Sequence, residues 1–469
     1  MKPATDMAAE NPVGAPKVDF VRAELVVHEI AAYVEAARQR LAPENELDAA
    51  SRCILDLLSA AMAGFNERGA AAARTMALSV LVEGGVPVWF DGLSSSVVGA
   101  AWANSAASAA LDLDDGNRLA RGHPGAAVIP TALAVGHETG ASWQSILNAI
   151  VIGYEVGVSV ASARLSYGNT GTWSSYATVA TAATLRGTTR DVLAHALAIA
   201  GESSPSQAFL SAPAQTPPPE GSDVKEGIPW SVVTGLVALG LAEAGSTGPR
   251  NILDSVHHYR FPATLALGSR GHILNTYFKL YACCRHIHAP LDALLALLDQ
   301  HHIDPRIISM IEVQTYSGAL RLPNTTEPQG VVDVQYSIPY CLALGALVGP
   351  SALLPLSEEA LGRTEVRDLA RKVKMTLDAD LDARFPAETL ARVIVSCGSQ
   401  SYASEVTAPR GEASNPLSWT ELENKLRAAT RLVATKDQQE QLLDAIRRAA
   451  IDGPSALEIC LKGRLTTPN

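Results

Sequence analysis

The stretch that decides the fold is GAAWANSAASAALDLDDGNRLARGHPGAAVIPTALAVGHETG, residues 99–140. Two apolar, alanine-rich segments flank a short charged one. Alanine has the highest helix propensity, and small side chains let two helices approach closely. The pattern therefore predicts closely packed helices over 97–111 and 126–138, with a charged loop between them.

The same helical pattern extends from Asp19 to about Gly245, with almost no strand-like alternation. Five prolines interrupt it between Ser203 and Gly227, so this segment is expected to be a long loop, and such loops are often functional. Further helices are predicted over 47–65, 143–164, 176–186, 189–201 and 231–245. The sequence thus predicts a large all-helical domain.

After Asn275 the hydrophobic pattern changes, and strand-like alternation with intervening helical stretches predicts an α+β domain. Ser418 and Glu421 form a predicted capping box, and helices 419–433 and 436–450 are expected to pack back onto the first domain. Strands are predicted over 310–318, 372–381 and 391–399, and helices over 337–348 and 357–371. The predicted fold class is mainly α, with a flexible leader (1–18), a large helical domain (19–275 with 426–469) and a smaller α+β domain (276–425).

The composition excludes several classes of protein. The chain has 469 residues, of which 47% are hydrophobic and 18% charged, as expected for a soluble protein with a large core. A net charge of −11 without a basic run argues against nucleic-acid binding. No uninterrupted apolar run of about 18 residues occurs, so no membrane span is expected. Six cysteines without a CxxC pair indicate reduced thiols and no zinc site, and the leader is typical of a cytoplasmic protein.

The densest polar cluster is LDLDDGNRLARGHPG, residues 111–125. We interpret Asp112 or Asp115 as the group that orients and charges His123 as a proton-transfer base. Asp115, Arg118 and Arg121 are candidates for binding the substrate, the two arginines by holding an anion nearby. The alternative is a capped helix junction, in which the histidine only starts the next helix.

A second cluster, FKLYACCRHIHAPLDALLAL (278–297), contains Lys279, Arg285, His286 and His288. These side chains could donate hydrogen bonds to a small acidic substrate. The adjacent cysteine pair is interpreted as packing. Two histidines two residues apart face away from each other on a helix, so no metal site is expected.

Lys225 ends the proline-rich loop, four residues before Pro229 opens a helix. Its position near a helix N-terminus suits carboxylate binding, and an exposed loop lysine is the alternative. The GxGxxG, GxxxxGK[ST], HExxH and GxSxG motifs are absent, so the sequence indicates neither nucleotide nor serine-hydrolase chemistry.

Taken together, these segments resemble the MmgE/PrpD family, whose members include 2-methylcitrate dehydratase, cis-aconitate decarboxylase and iminodisuccinate epimerase. Three further segments are similar to the family's lid entry, tyrosine-bearing helix and C-terminal turn: YACCRHIHAPLDA (281–293), VDVQYSIPYCLALGALVG (332–349) and APRGEASNP (408–416). The family's DxDD…HP motif is matched by Asp112, Asp114, Asp115, His123 and Pro124.

The resemblance implies a large helical domain, a smaller α+β lid, a pocket between them, a homodimer and no cofactor or metal. The implied chemistry removes a proton, or carbon dioxide, next to a carboxylate of a small di- or tricarboxylate substrate. Carried over by position, the family's catalytic residues fall on Asp112, His123, Lys225 (after a one-residue shift), His288 and Tyr340.

Two features depart from the family pattern. YGNTGTW (167–173) has Gly168 where dehydratases and decarboxylases carry a histidine, so one expected acid/base group is missing. The spacing from Asp112 to His123 is one residue longer than in the decarboxylases and closer to the epimerase. The expected reaction is a hydro-lyase of the 2-methylcitrate dehydratase type. An epimerase or isomerase is the close alternative, and a non-catalytic carboxylate-binding homologue is the third.

Overall fold

The computed structural model describes residues 22–81, 83–166, 168–205, 223–466 and 468. The predicted leader lies outside these residues, as does most of the predicted proline-rich loop, from 206 to 222.

Within the described residues the fold is mainly α, as predicted. The side chains of Ser96 and Ser142 cap the N-termini of two helices, and Gly140 ends one with a left-handed backbone. The helices are α1 (Val26–Ala37), α2 (Glu44–Ala63), α3 (Arg68–Val80), α4 (Val97–Ala109), α5 (Gly125–Thr139), α6 (Trp143–Ala163), α7 (Ser174–Arg186), α8 (Arg190–Ser203), α9 (Ile228–Glu243), α10 (Arg285–Gln300), α11 (Ser317–Leu320), α12 (Val331–Gln335), α13 (Ile338–Leu347), α14 (Thr364–Ala370), α15 (Ala379–Arg384), α16 (Trp419–Ala429), α17 (Lys436–Asp452) and α18 (Ser455–Lys462).

The strands form small sheets. They are β1 (Val86–Val88), β2 (Leu93–Ser95), β3 (Gly116–Asn117), β4 (Thr276–Tyr277), β5 (Met310–Thr315), β6 (Val373–Leu377), β7 (Arg392–Cys397) and β8 (Gln400–Ala403). The largest sheet has the order β6-β5-β7-β8, and β5 pairs parallel with β6 and antiparallel with β7. Ile311, Val313 and Thr315 of β5 are buried while the residues between them are not, which is the alternation that predicted this strand.

The seven helices predicted between 47 and 245 are all present, and so is the capping box at Ser418. The predicted helix ranges do not include α1, α3 and α10, nor the shorter α11, α12, α15 and α18. Helix α3 buries only Ala70 and Ala77, which leaves a weak periodic signal. The helix predicted over 357–371 begins only at Thr364, after a 3₁₀ turn at Glu358–Ala360.

Small residues explain how the central helices pack. A Cβ on Gly153 of α6 would lie 2.1 Å from Oγ1 of Thr181 on α7, and one on Gly157 would lie 2.7 Å from Cβ of Ala177. Only glycine allows this approach. Helix α6 is long and apolar enough to cross a membrane, but 89% of its most apolar window is buried inside the protein, as expected for a core helix.

The buried apolar residues form two clusters, which we call the first core and the second core. The first core unites α1–α9 with much of α16–α18, and the second surrounds α10, α13 and the four-stranded sheet. Leu111 and Leu113, from the charged loop that follows α4, belong to the second core. The charged loop therefore lies where the two cores meet. The domain limits given above stay a prediction.

Candidate active site

Asp115 anchors the charged loop. Its Oδ1 accepts a hydrogen bond from the Gly125 N–H (3.1 Å), and its Oδ2 accepts one from the Tyr154 hydroxyl (2.7 Å). A Cβ on Gly125 would lie 2.1 Å from that Oδ1, so glycine is required there. Burial raises the pKa of Asp115 to about 8, helped by the charges of Asp56 and Asp114 and opposed by the Tyr154 hydrogen bond. Both oxygens are thus occupied inside the helical bundle and do not face a substrate.

Asp112 is the fully buried centre of the cluster, on a left-handed backbone (φ +52°). The Nζ of Lys225 lies 2.8 Å from its Oδ1, and the Nζ of Lys279 lies 3.0 Å from its Oδ2. Burial alone would raise the pKa of Asp112, but the two ammonium groups and His123 outweigh it and hold the pKa well below its ordinary value. Asp112 therefore supplies a fixed negative charge and does not exchange protons near neutral pH.

Lys279 reaches Asp112 because β3 and β4 pair antiparallel, with Gly116 opposite Tyr277. Lys279 lies two residues after the end of β4 and also donates to the Asp112 carbonyl oxygen (2.7 Å). This short pairing connects the charged loop to the segment that leads into α10. The second sequence cluster is thereby brought against the first.

His123 is buried beside Asp112. Its Nδ1 lies 2.8 Å from the Asp115 carbonyl oxygen, which can only accept, so this geometry assigns a proton to Nδ1. Its Nε2 lies 3.3 Å from Oδ1 of Asp112. The backbone N–H of His123 donates to the Thr170 hydroxyl (3.0 Å). The ring is thus held so that Nε2 is the nitrogen able to gain and lose a proton, with a carboxylate ready to stabilise the imidazolium.

Lys225 also donates to the hydroxyl of Tyr336, which in turn donates to Oε1 of Glu226 (3.2 Å). Oε2 of Glu226 accepts from the Thr170 hydroxyl (2.8 Å). Burial tends to raise the pKa of Glu226, but His123 in its protonated form, the ammonium group of Lys225 and the Thr170 hydrogen bond outweigh it, and the pKa falls below its ordinary value. An ionised carboxylate therefore sits at the end of this chain of contacts.

Arg118 and Arg285 share one carboxylate. Arg118 Nε donates to Glu412 (2.8 Å), Arg285 Nε donates to it (2.9 Å), and each arginine makes a second contact through Nη2. Arg118 also donates to the Thr389 hydroxyl (2.8 Å). The arginines come from the charged loop and from α10, so Glu412 joins the two sequence clusters a second time.

The rings of His286 and His288 are neutral and already have contacts through their nitrogens. Burial, followed by the charges of Arg118 and Arg321, lowers the pKa of His286 to about 4, and its Nδ1 lies 2.5 Å from the Tyr316 hydroxyl. Burial, followed by the charge of Arg285, holds the pKa of His288 well below its ordinary value. Nη1 of Arg285 lies 3.4 Å from Nδ1 of His288. Nε2 of His288 lies 3.3 Å from the backbone carbonyl oxygen of Cys283.

Asp112, His123 and Glu226 each offer one ligand atom, and these atoms lie within 4.8 Å of one another. The set has the composition of a metal site. Lys225 and Lys279 already pair with Asp112, however, and their ammonium groups would repel a divalent cation. The donor set therefore does not fit a metal ion.

Comparison with known families gives two matches that together cover most of the chain. The N-terminal domain of the MmgE/PrpD family matches residues 28–264, and the C-terminal domain of the same family matches residues 281–450. The chain belongs to the MmgE/PrpD family. No curated protein matches the chain closely enough to add a relative with a known reaction.

The tyrosine carried over from the MmgE/PrpD pattern needs a correction. The Tyr340 hydroxyl donates to the carbonyl oxygen of Ala360 (2.6 Å) inside the second core, so it does not contact the Asp112 cluster. Tyr336, four residues earlier, contacts that cluster. Arg121 is likewise not brought inward, since its side chain is exposed on a left-handed backbone (φ +52°).

Gly168, the departure from the MmgE/PrpD histidine position, has an ordinary backbone and crowded surroundings. A Cβ there would lie 2.6 Å from Oγ1 of Thr172 and 2.9 Å from Nη2 of Arg164. The guanidinium group of Arg164 thus fills space that a side chain at 168 would need. An arginine stays protonated near neutral pH, so it cannot replace an acid/base histidine.

Four further residues of the candidate site were not predicted: Thr170, Glu226, Tyr336 and Glu412. Each had a signal, because Glu226 adjoins a selected lysine and the other three lie in segments quoted for the comparison with the family. Nothing local ranks these residues above their neighbours. Their roles depend on contacts with residues far away in the chain.

Proposed function

We propose that this protein is a cofactor-independent enzyme that removes a proton α to a carboxylate of a small di- or tricarboxylate. We propose further that it is a hydro-lyase of the 2-methylcitrate dehydratase type. Membership of the MmgE/PrpD family supports the general chemistry. The observation that carries the proposal is His123, buried, with Nδ1 bound to a backbone carbonyl and Nε2 beside the ionised Asp112.

In this mechanism Nε2 of His123 takes the α-proton, and Asp112 stabilises the imidazolium that forms. The ammonium groups of Lys225 and Lys279 both contact the carboxylate of Asp112, which lies beside Nε2 of His123. Their positive charges would therefore be close to the enolate that develops on the substrate. A proton-transfer group of this kind contributes about 10²–10⁴-fold to the rate. The electrons of the C–H bond form the C=C bond, the C–O bond breaks, and the leaving hydroxyl group takes a proton from a second group of the site and departs as water.

The substrate carboxylates would bind among four cations: Lys225, Lys279, Arg118 and Arg285. Among the described residues these cations pair directly with Asp112 and Glu412, and the ionised Glu226 lies close to Lys225. Their N–H groups are the charged donors that a substrate carboxylate needs. We propose that the unit around the second core acts as a lid over this site. A homodimer and a cytoplasmic location remain part of the proposal.

A second candidate is an epimerase or isomerase, and Gly168 favours it. Without a histidine at that position, one acid group of the lyase pattern is lost. The remaining groups would then remove a proton from one face of a carbon and return it to the other, with no alkene formed.

Incubation with citrate, 2-methylcitrate and malate in D₂O tests both candidates. A lyase forms an alkene conjugated to a carboxylate, seen as growing ultraviolet absorbance, while an epimerase gives only deuterium exchange with inversion, seen by NMR. His123→Ala should lower exchange and turnover by at least about 10²-fold. His137→Ala is the matched control, because His137 pairs with Glu458 on α18 and not with the Asp112 cluster. Full turnover by a folded His123→Ala variant would contradict the proposal.

A further inference from the structure

We propose that Tyr336 is the second proton-transfer residue of this site and that Glu226 orients it. The inference rests on the proposed function and assigns the acid that the lyase mechanism lacks. Tyr336 lies at the C-terminal end of α12 and is 9% exposed.

The hydroxyl group of Tyr336 lies between a positive charge, Lys225, and a negative charge, Glu226, which together orient it. A lysine ammonium group can only donate, so the tyrosine oxygen accepts from Lys225. The hydroxyl proton is thereby directed to Oε1 of Glu226, which is ionised. Lys225 Nζ also lies 4.4 Å from the centre of the Tyr336 ring. The same ammonium group would stabilise the phenolate that remains after the proton is given away.

Tyr336 and His123 approach the site from different parts of the fold. His123 belongs to the charged loop that precedes α5, whereas Tyr336 lies between α12 and α13, beside the second core. Lys225 connects them, because its Nζ contacts both Asp112 and the Tyr336 hydroxyl. Tyr336 thus contacts the Lys225 ammonium group directly, and His123 contacts the same Asp112 oxygen as that ammonium group, so both proton-transfer groups lie at one site.

The other candidate acids are less suited to the role. His288 is neutral and its ring nitrogens already face Arg285 and a backbone carbonyl. The Tyr340 hydroxyl is bound to Ala360, and Gly168 has no side chain.

In the elimination step, Nε2 of His123 takes the α-proton and the C–H electron pair forms the C=C bond. The C–O bond breaks, and the leaving oxygen takes the Tyr336 proton and departs as water. The enzyme is left with an imidazolium at His123 and a phenolate at Tyr336. Transfer of one proton from the first to the second restores the starting state, so substrate is converted to alkene plus water with no other reactant.

The test compares Tyr336→Phe with Tyr340→Phe, which removes a hydroxyl group four residues away. Each variant is assayed on the hydroxy acid that the wild type dehydrates and on the same acid carrying chloride in place of the hydroxyl, as in malate and chlorosuccinate. Chloride leaves without a proton, so it needs no acid. Tyr336→Phe should lower kcat about 10²–10⁴-fold on the hydroxy acid and less than about threefold on the chloro acid. Tyr340→Phe should change the two substrates equally.

Equal losses on both substrates with Tyr336→Phe, or no loss on the hydroxy acid, would overturn the acid role while leaving the proposed function intact. If the wild type inverts the configuration of the substrate carbon and eliminates no water, the test uses deuterium exchange instead. Tyr336→Phe should then keep exchange and lose inversion, and retained inversion would overturn the role. A wild type with neither activity on any acid of the panel overturns the proposed function and this assignment with it.

Discussion

Replacing Asp115 by asparagine is expected to stabilise the protein in alkaline solution, by an amount that grows with pH. Asp115 is fully buried, and this burial, with the charges of Asp56 and Asp114, raises its pKa from the ordinary 3.8 to about 8. A folded-state pKa above the unfolded one means that the folded protein binds the proton more tightly. The stability that this proton provides is therefore present in full below about pH 4 and is lost as the pH rises towards 8.

The size of the effect follows from the two pKa values. One pKa unit corresponds to about 1.36 kcal/mol, so the shift of Asp115 amounts to about 6 kcal/mol in total. About 4 kcal/mol of this is lost between pH 5 and pH 8.5. Asparagine has no ionised form, and its amide oxygen can still accept from the Gly125 N–H while its NH₂ faces Tyr154. The variant should keep the loop geometry without the pH-dependent cost.

The assay is urea unfolding of wild type, Asp115→Asn and the exposed-site control Asp437→Asn at both pH values. The free energy of unfolding of wild type should fall by about 4 kcal/mol relative to Asp115→Asn on going from pH 5 to pH 8.5. Asp437→Asn should follow wild type. A difference between wild type and Asp115→Asn that is the same at both pH values would mean that Asp115 is ionised throughout. The assignment of Asp115 as a neutral anchor would then be wrong.

Lys425→Met should lower the free energy of unfolding by about 3–5 kcal/mol, because it leaves the buried Asp56 unpaired. Adding Asp56→Leu should restore most of this loss, and thermal or urea denaturation measures both variants. Cys283→Ala should keep turnover within about threefold of wild type, since the buried thiol takes no part in proton transfer; loss of activity in a folded variant would count against a thiol-independent mechanism. Gly168→Ala should lower the free energy of unfolding by about 1–3 kcal/mol, because the new Cβ displaces Arg164. In an Arg164→Ala background the same change should lower it by less. Equal losses in both backgrounds would show that the guanidinium group does not crowd a side chain at 168.

The buried Lys425 also illustrates how the charged loop is held from the far end of the chain. Its Nζ donates to the carbonyl oxygen of Leu113 (2.9 Å) and pairs with Asp56 on α2. Helix α16 therefore supports the loop that carries Asp112. A loss of stability in Lys425→Met should for this reason be accompanied by a loss of order around Asp112, measurable as faster hydrogen exchange in the loop.

Much of the helical part could be predicted because its signals are local. Alanine content, serine caps such as Ser142 and the Ser418–Glu421 box act over one or two helical turns. Helix α3 was missed because it buries too few residues to leave a periodic pattern. The candidate site was predicted as a set of residue types in separate charged segments, and the structure brings Asp112, His123, Lys225 and Lys279 of those segments together.

The sequence by itself determined that the protein is mainly α and which family it resembles, and it predicted which charged segments form the candidate site. Only the tertiary structure decided which tyrosine reaches the cluster, since Tyr336 and Tyr340 are four residues apart and bond to different partners. It also decided that Asp112 is ionised while Asp115 holds its proton to about pH 8. Both carboxyls are equally buried, and the difference comes from two ammonium groups that the fold brings to Asp112 from more than a hundred residues away. Burial and charge at a side chain are set by such distant neighbours, and no local pattern encodes them.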